Sequence, residues 1–183
     1  MLERRILVDI HYREISREEL SKLEELDRTE YVDYIYKYDD GSLVKSPLNI
    51  TIPKWSSSKK KEFIENITNR IVNGGKAFGA FDKEKLVGVS VLGEKTWGNT
   101  AQLTFLHVSS KYRKQGIGRK LIELIENEAV NRGYRSLYVS ATESVSTVNF
   151  YMNYGFRLAK EVIKELYEEE PDDIHMTKDI TKI

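Results

Sequence analysis

The chain has 183 residues and no cysteine. That absence excludes disulfides, thiolate nucleophiles and cysteine-held metals, and it fits a reducing, cytoplasmic compartment. No stretch approaches the roughly 18 consecutive apolar residues of a membrane helix, and the apolar run in the opening "MLERRILVDI" is too short for a secretory signal. No membrane partner is expected. An excess of one charge is missing too: 29 Lys and Arg residues balance 29 Asp and Glu residues, so the field of the whole molecule does not favour nucleic acid. Any basic patch must be local. Proline occurs only 3 times, and no repeat or low-complexity linker divides the chain. The expectation is a single domain over 1–183, large enough for a real core.

The patterning that is present gives an element order. Apolar residues alternate over 6–12 as a strand, and Ser16 with Glu19 forms a capping box that opens a helix to about residue 27. Between 29 and 55, "EYVDYIYKYDDGSL" mixes helical and alternating spacings, and the two prolines of "KSPLNITIPKW" argue for an irregular connection. A helix from about 58 stops at Gly74-Gly75. "KAFGAF" and "KLVGVSVLGEK" then flank a polar turn, and "WGNT" leads to "AQLTFLHV", giving three antiparallel strands in sequence. Ile117, Leu121, Leu124, Ile125 and Ala129 share one face of a helix over 117–131, followed by the buried strand "SLYVSA" and a short helix over 146–154 that ends at Gly155. "FRLAKEVIKELY" and "IHMTKDI" read as a final hairpin. The fold class is α/β (α+β), with a mixed, mainly antiparallel sheet and helices on both faces.

One stretch asks for a function. "HVSSKYRKQGIGRKL" runs from a strand end through a glycine-containing turn into a helix, where several backbone N–H groups lack intrahelical partners. Gly116 and Gly118 permit close approach of an anion, and Lys111, Arg113, Lys114 and Arg119 surround it with positive charge. On these residues alone the stretch reads either as a pyrophosphate cradle or as a capped helix with a solvated basic end. Neither familiar nucleotide motif fits: no Gly-Lys-Ser/Thr follows at Walker spacing, and Leu121 stands where the dinucleotide pattern wants glycine.

The longer context "LTFLHVSSKYRKQGIGRKLIELIENEAVNRGYRSLYVSA" followed by "NFYMNYGF" resembles the GNAT superfamily of N-acetyltransferases over about 76–156, with an acceptor-side region over about 16–75. The resemblance implies that acetyl-CoA is the cosubstrate and that no metal is needed. Its pyrophosphate would lie on Arg113, Lys114, Gln115, Gly116, Ile117, Gly118 and Arg119, with the pantetheine arm near Val108. Tyr151 matches the tyrosine that serves as general acid to the departing thiolate in many members, and Asn149 matches a coenzyme contact. Ser144 departs from the asparagine common at its position. Dimers are common in the family, and the final hairpin offers a surface for a homodimer.

An amine acceptor with a lysine-like pKa of about 10.4 must lose a proton before it attacks. Protein-acetylating members place a glutamate base where this chain has Gln102, so the base is unassigned; His107, Glu94 and Glu143 are candidates. Tyr31, Tyr34, Tyr36 and Tyr38, interleaved with acids, suit a cation or else cap the sheet. The acids of "KELYEEEPDD" read as a solvated strand end and turn. The expected function is direct acetyl transfer to a primary amine of a small cationic metabolite or antibiotic, because no cysteine is present to carry an acyl intermediate. The alternatives are acetylation of a protein N-terminus or lysine, and an acyl-CoA sensor without turnover.

Overall fold

The computed structural model describes residues 9–181. In chain order the elements are β1 (Ile10–Glu14), a 3-10 helix (Arg17–Glu25), β2 (Glu30–Asp39), β3 (Ser42–Ile52), α1 (Ser57–Val72), β4 (Lys76–Asp82), β5 (Lys85–Trp97) and β6 (Thr100–Val108). A short 3-10 turn (Ser110–Tyr112) then leads to α2 (Ile117–Asn131), β7 (Ser136–Ala141), α3 (Val145–Tyr154), β8 (Arg157–Leu158), α4 (Lys164–Glu169) and β9 (Ile174–Asp179). Seven strands form one sheet in the order β1-β4-β5-β6-β7-β9-β8, and β2 with β3 forms a second. The expected meander β4-β5-β6 is antiparallel, as are β7-β9 and β8-β9, while β6 and β7 run parallel across the α2 crossover. The fold class is therefore the mixed, mainly antiparallel one expected.

Strand alternation sends successive side chains to opposite layers. On one face Leu20, Leu23 and Ile67, from the 3-10 helix and α1, pack with Phe81, Leu86, Val89 and Val91. On the other, Ile117 and Leu121 of α2 cover Ala80 and Val87. Further along α2, Ile122 and Ile125 join Leu137 and Val139 of β7 and Val148 and Tyr151 of α3. Each fully buried leucine or isoleucine contributes about 1.5–3 kcal/mol as an upper figure.

Two irregularities of the sheet position the site. In β6 the register against β5 passes from Phe105 opposite Val91 to Leu103 opposite Leu92, leaving Thr104 as the extra residue of a bulge. Pairing of β6 with β7 is confined to Thr100–Gln102 against Ser136–Tyr138. Beyond that point β6 stays with β5 as far as Val108 and β7 stays with β9, so the sheet parts between them.

Three expectations need correction. The segment read as an irregular connection is the β2-β3 hairpin, closed by Asp40 (φ 41°) and Gly41 (φ 83°), the paired left-handed residues of a two-residue hairpin turn. Pro47 is tolerated because it lies beside the register shift between Val32 and Tyr34, in a strand paired on one side only. The capping box at Ser16 and Glu19 is present, but it opens a 3-10 helix over Arg17–Glu25. The final hairpin is far shorter than expected: only Arg157–Leu158 pairs with β9, and "KELYEE" is α4. The strand expected over 6–12 is β1; residues 6–8 lie outside the described residues. Among the described residues no helix is long and apolar enough to cross a membrane.

Candidate functional site

The basic stretch forms the loop between β6 and α2 and the first turn of that helix. Gly116, at φ 83°, caps α2 from the left-handed region, and no side chain caps the helix. The amides of Ile117, Gly118 and Arg119 are thus the unpartnered donors of the first turn, at the positive end of a 15-residue helix. Lys114 also has positive φ (60°), which turns the loop back toward the helix start. A Cβ on Gly118 would lie 3.1 Å from the Phe150 ring, so glycine lets α2 and α3 meet there. Around this helix start the cations differ. The Arg113 guanidinium donates from Nε to the Val108 carbonyl (3.0 Å) and pairs with Glu30 at 2.9 Å. Arg119 lies over the Tyr154 ring at 5.2 Å, and Gln115 donates to the Lys111 carbonyl at 3.2 Å. Lys111 and Lys114 make no ion pair among the described residues.

Tyr151 sits on α3, 5% exposed, edge-on to Phe150 and Phe156. Burial, and then the charge of Asp173, raise its hydroxyl above the ordinary phenol value, so it keeps its proton. Asn149, two residues earlier, accepts a long hydrogen bond from the Tyr36 hydroxyl at 3.4 Å. Ser144 caps α3, accepting from the Thr147 amide at 3.3 Å.

The β2-β3 hairpin packs on this end of the sheet, with the Tyr36 amide donating to the Glu143 carbonyl (2.8 Å) and Ile35 bridging to Ser144. Beneath it lies a pocket of about 550 Å³ whose walls include Tyr36, Tyr38, Tyr167, Glu143, Asp172 and Asp173. Tyr31 and Tyr34 lie outside it, exposed at 63% and 39%, and Tyr38 and Tyr167 at its rim are 61% and 50% exposed. The C-terminal acids therefore divide: those on α4 lie on a helix, Asp172 is exposed in the turn as expected, at the pocket's edge, and Asp173 is half-buried in the pocket wall. Burial first, then the carboxylates of Glu170, Glu143 and Asp172, push Asp173 up from 3.8 to about 7.

The other candidate bases are elsewhere, apart from Glu143. His107 faces the opposite layer, with Nε2 3.2 Å from the Asp27 carbonyl and its ring beside Trp55 and Phe105. Burial lowers it to about 4, which leaves it neutral. Glu94 pairs with Arg70 at 3.5 Å, and both line a separate pocket of about 200 Å³ together with Gln102. Sequence reasoning missed Asp172, Asp173, His175 and Tyr167 as pocket residues. The available signal was a pair of acids immediately before "IHM", a run that had to enter the sheet. Among the described residues no His, Asp and Glu cluster is arranged to hold a metal ion.

Residues 51–179 match the family described as the acetyltransferase (GNAT) domain. A streptothricin acetyltransferase from Escherichia coli is 32% identical over 82 residues, or 44% of this chain and 47% of that protein. The chain thus spans about half the length of the curated relative it matches. Among solved structures, a nourseothricin acetyltransferase has a TM-score of 0.71 at 19% identity, covering 94% of this chain and 99% of that one. A candidate streptothricin acetyltransferase from Bacillus anthracis, solved with acetyl coenzyme A, has a TM-score of 0.70 at 18% identity, covering 93% and 98%. At these identities the structural likeness concerns the fold.

Proposed function

The chain belongs to the GNAT acetyltransferase family, and from that premise we propose that it transfers acetyl from acetyl-CoA to the primary amine of a small cationic metabolite or antibiotic. The observation that carries this reading is the meeting of two features at the end of β6: the parted β6 and β7 strands and the uncapped N-terminus of α2 behind the left-handed Gly116. Such an end holds a pyrophosphate through main-chain donors and helix charge. Lys111, Lys114 and Arg119 supply further positive charge. The pantetheine arm then follows the gap from Val108 toward Tyr151.

The pocket under the hairpin supplies the acceptor side. Tyrosine faces and carboxylates suit an ammonium ion, and a volume of about 550 Å³ suits a small molecule. The named acceptors of two relatives, streptothricin and nourseothricin, support an antibiotic amine. In the reaction the amine nitrogen attacks the thioester carbonyl carbon, a C–N bond forms, and the C–S bond then breaks. A main-chain N–H near Val108 polarises the carbonyl oxygen as it gains charge. The Tyr151 hydroxyl, held protonated by burial, donates to the leaving sulfur.

The test is free-thiol release from acetyl-CoA over polyamines, aminoglycosides, streptothricin, amino acids, and peptides with free N-termini or lysines. The reading expects the highest kcat/KM on a small polycationic amine. A peptide as the best acceptor would replace it with protein acetylation, and acetyl-CoA binding without thiol release would replace it with a sensor.

A further inference from the structure

Resting on the acetyl-transfer reading, we propose that Asp173 is the general base that removes the proton from the acceptor ammonium. The chemistry demands such a group: His107 is neutral in the opposite layer, Glu94 and Gln102 line another pocket, and of the two carboxylates Glu143 and Asp173 that share the acceptor pocket, Asp173 is the one whose charge acts on Tyr151. Asp173 immediately precedes β9, in the wall of the acidic pocket, and its charge helps raise the Tyr151 phenol. It is also the group that links the acceptor pocket electrostatically to the proposed acid.

The surroundings suit a proton acceptor. Among the described residues the Asp173 carboxyl has no ion pair and no side-chain hydrogen bond. The charges facing it come from several elements: Glu143 after β7, Glu170 at the end of α4, and its neighbour Asp172, with Lys37 of β2 as the cation in the pocket wall. Burial raises its proton affinity most, and three carboxylates against one lysine add to it. The result is a carboxyl poised near 7, where a base can accept a proton and still release it.

A second, independent feature marks the pocket as built for a polar ligand. His175, 8% exposed, also lines it; its Nε2 lies 3.2 Å from the Glu170 carbonyl, and its Nδ1 is buried with no partner. Directly opposite in the β7-β9 ladder stands Ser140, whose hydroxyl is likewise buried and unpartnered. Buried polar atoms are nearly always hydrogen-bonded. With Nε2 facing a carbonyl and so carrying the proton, Nδ1 of His175 is an acceptor that wants a donor, and an amine carries one.

The proton balance is complete. The ammonium gives one proton to the Asp173 carboxylate, and the free amine attacks the thioester carbon. The tetrahedral adduct loses the C–S bond, and the thiolate takes the Tyr151 proton. The second nitrogen proton restores Tyr151, and Asp173 releases the first to solvent.

The test compares wild type with Asp173→Asn using streptothricin or spermidine, whichever the wild type turns over faster, and methoxyamine, which is already unprotonated at neutral pH. For the cationic amine, wild-type kcat should rise with pH to a plateau set by an apparent pKa near neutrality. Asp173→Asn should lose that limb and at least 100-fold in kcat, keep its acetyl-CoA affinity, and retain its rate on methoxyamine. Asp173→Ala should recover rate with added formate. A variant with wild-type kcat, whose KM alone rises, overturns the proposal and leaves the acetyl-transfer reading standing. A wild type that turns over neither amine overturns that reading, and the base assignment with it.

Discussion

Replacing Asp173 by asparagine should make the protein more stable above neutral pH while lowering its activity on cationic amines. The carboxyl is raised from 3.8 to about 7 by burial and by neighbouring carboxylates. A group whose folded value lies above its unfolded value favours the fold fully below the unfolded value. That contribution fades as pH rises and is gone above the folded value, here about 7. The gap between the two values corresponds to roughly 4 kcal/mol at 1.36 kcal/mol per tenfold change in proton affinity. Asp173 is only half-buried, so solvent screening reduces this to about 1–2 kcal/mol. For a chain of this length that is about 3–6 °C in Tm. Thermal unfolding followed by far-UV circular dichroism at pH 8 should show this gain in the variant, and at pH 4 the two proteins should melt together. A variant that melts at or below wild type at pH 8 would show that Asp173 is not a strained carboxylate, and the reasoning from its burial would fail.

Tyr151→Phe should lower kcat by about 100-fold, the lower range for removing a general acid, with acetyl-CoA affinity unchanged by calorimetry; loss of affinity instead would make Tyr151 a packing residue. Gly116→Ala meets no atom within 4 Å but must hold φ near 83°, which costs about 1–2 kcal/mol. Acetyl-CoA should therefore bind about tenfold more weakly, and unchanged binding would remove the cradle from the account. Gly41→Ala strains the hairpin turn in the same way at φ 83°; KM for the amine should rise while acetyl-CoA affinity stays fixed.

Much of this was readable in the residues because local rules and tertiary packing agree there. The strands from 76 to 108 alternate, Gly116 needs a left-handed conformation, and Gly155, at φ 113°, ends α3 where a glycine was expected to end it. The hairpin at 30–52 was misread because two prolines outweighed Asp40-Gly41, whose dipeptide is among the stronger hairpin signals. A ribbon paired on one side tolerates Pro47, and composition does not reveal how many neighbours a strand has. The pocket acids were illegible for a different reason. "KELYEEEPDD" has the composition of a solvated segment, and what turns Asp173 toward the pocket is the placement of α4 and the pairing of β9 with β7, both set by contacts distant in sequence. His107 shows the converse: its residue type made it a candidate base, and the structure puts it in the opposite layer beside Trp55.

The central claim is acetyl transfer from acetyl-CoA to a cationic amine. The most direct test incubates the protein with acetyl-CoA and streptothricin and measures free thiol and acetylated amine in the same sample over time. The account predicts that both rise together, in equal amounts and in proportion to protein concentration. Acetyl-CoA that binds but releases thiol no faster than in buffer, with no acetylated amine formed, would contradict it.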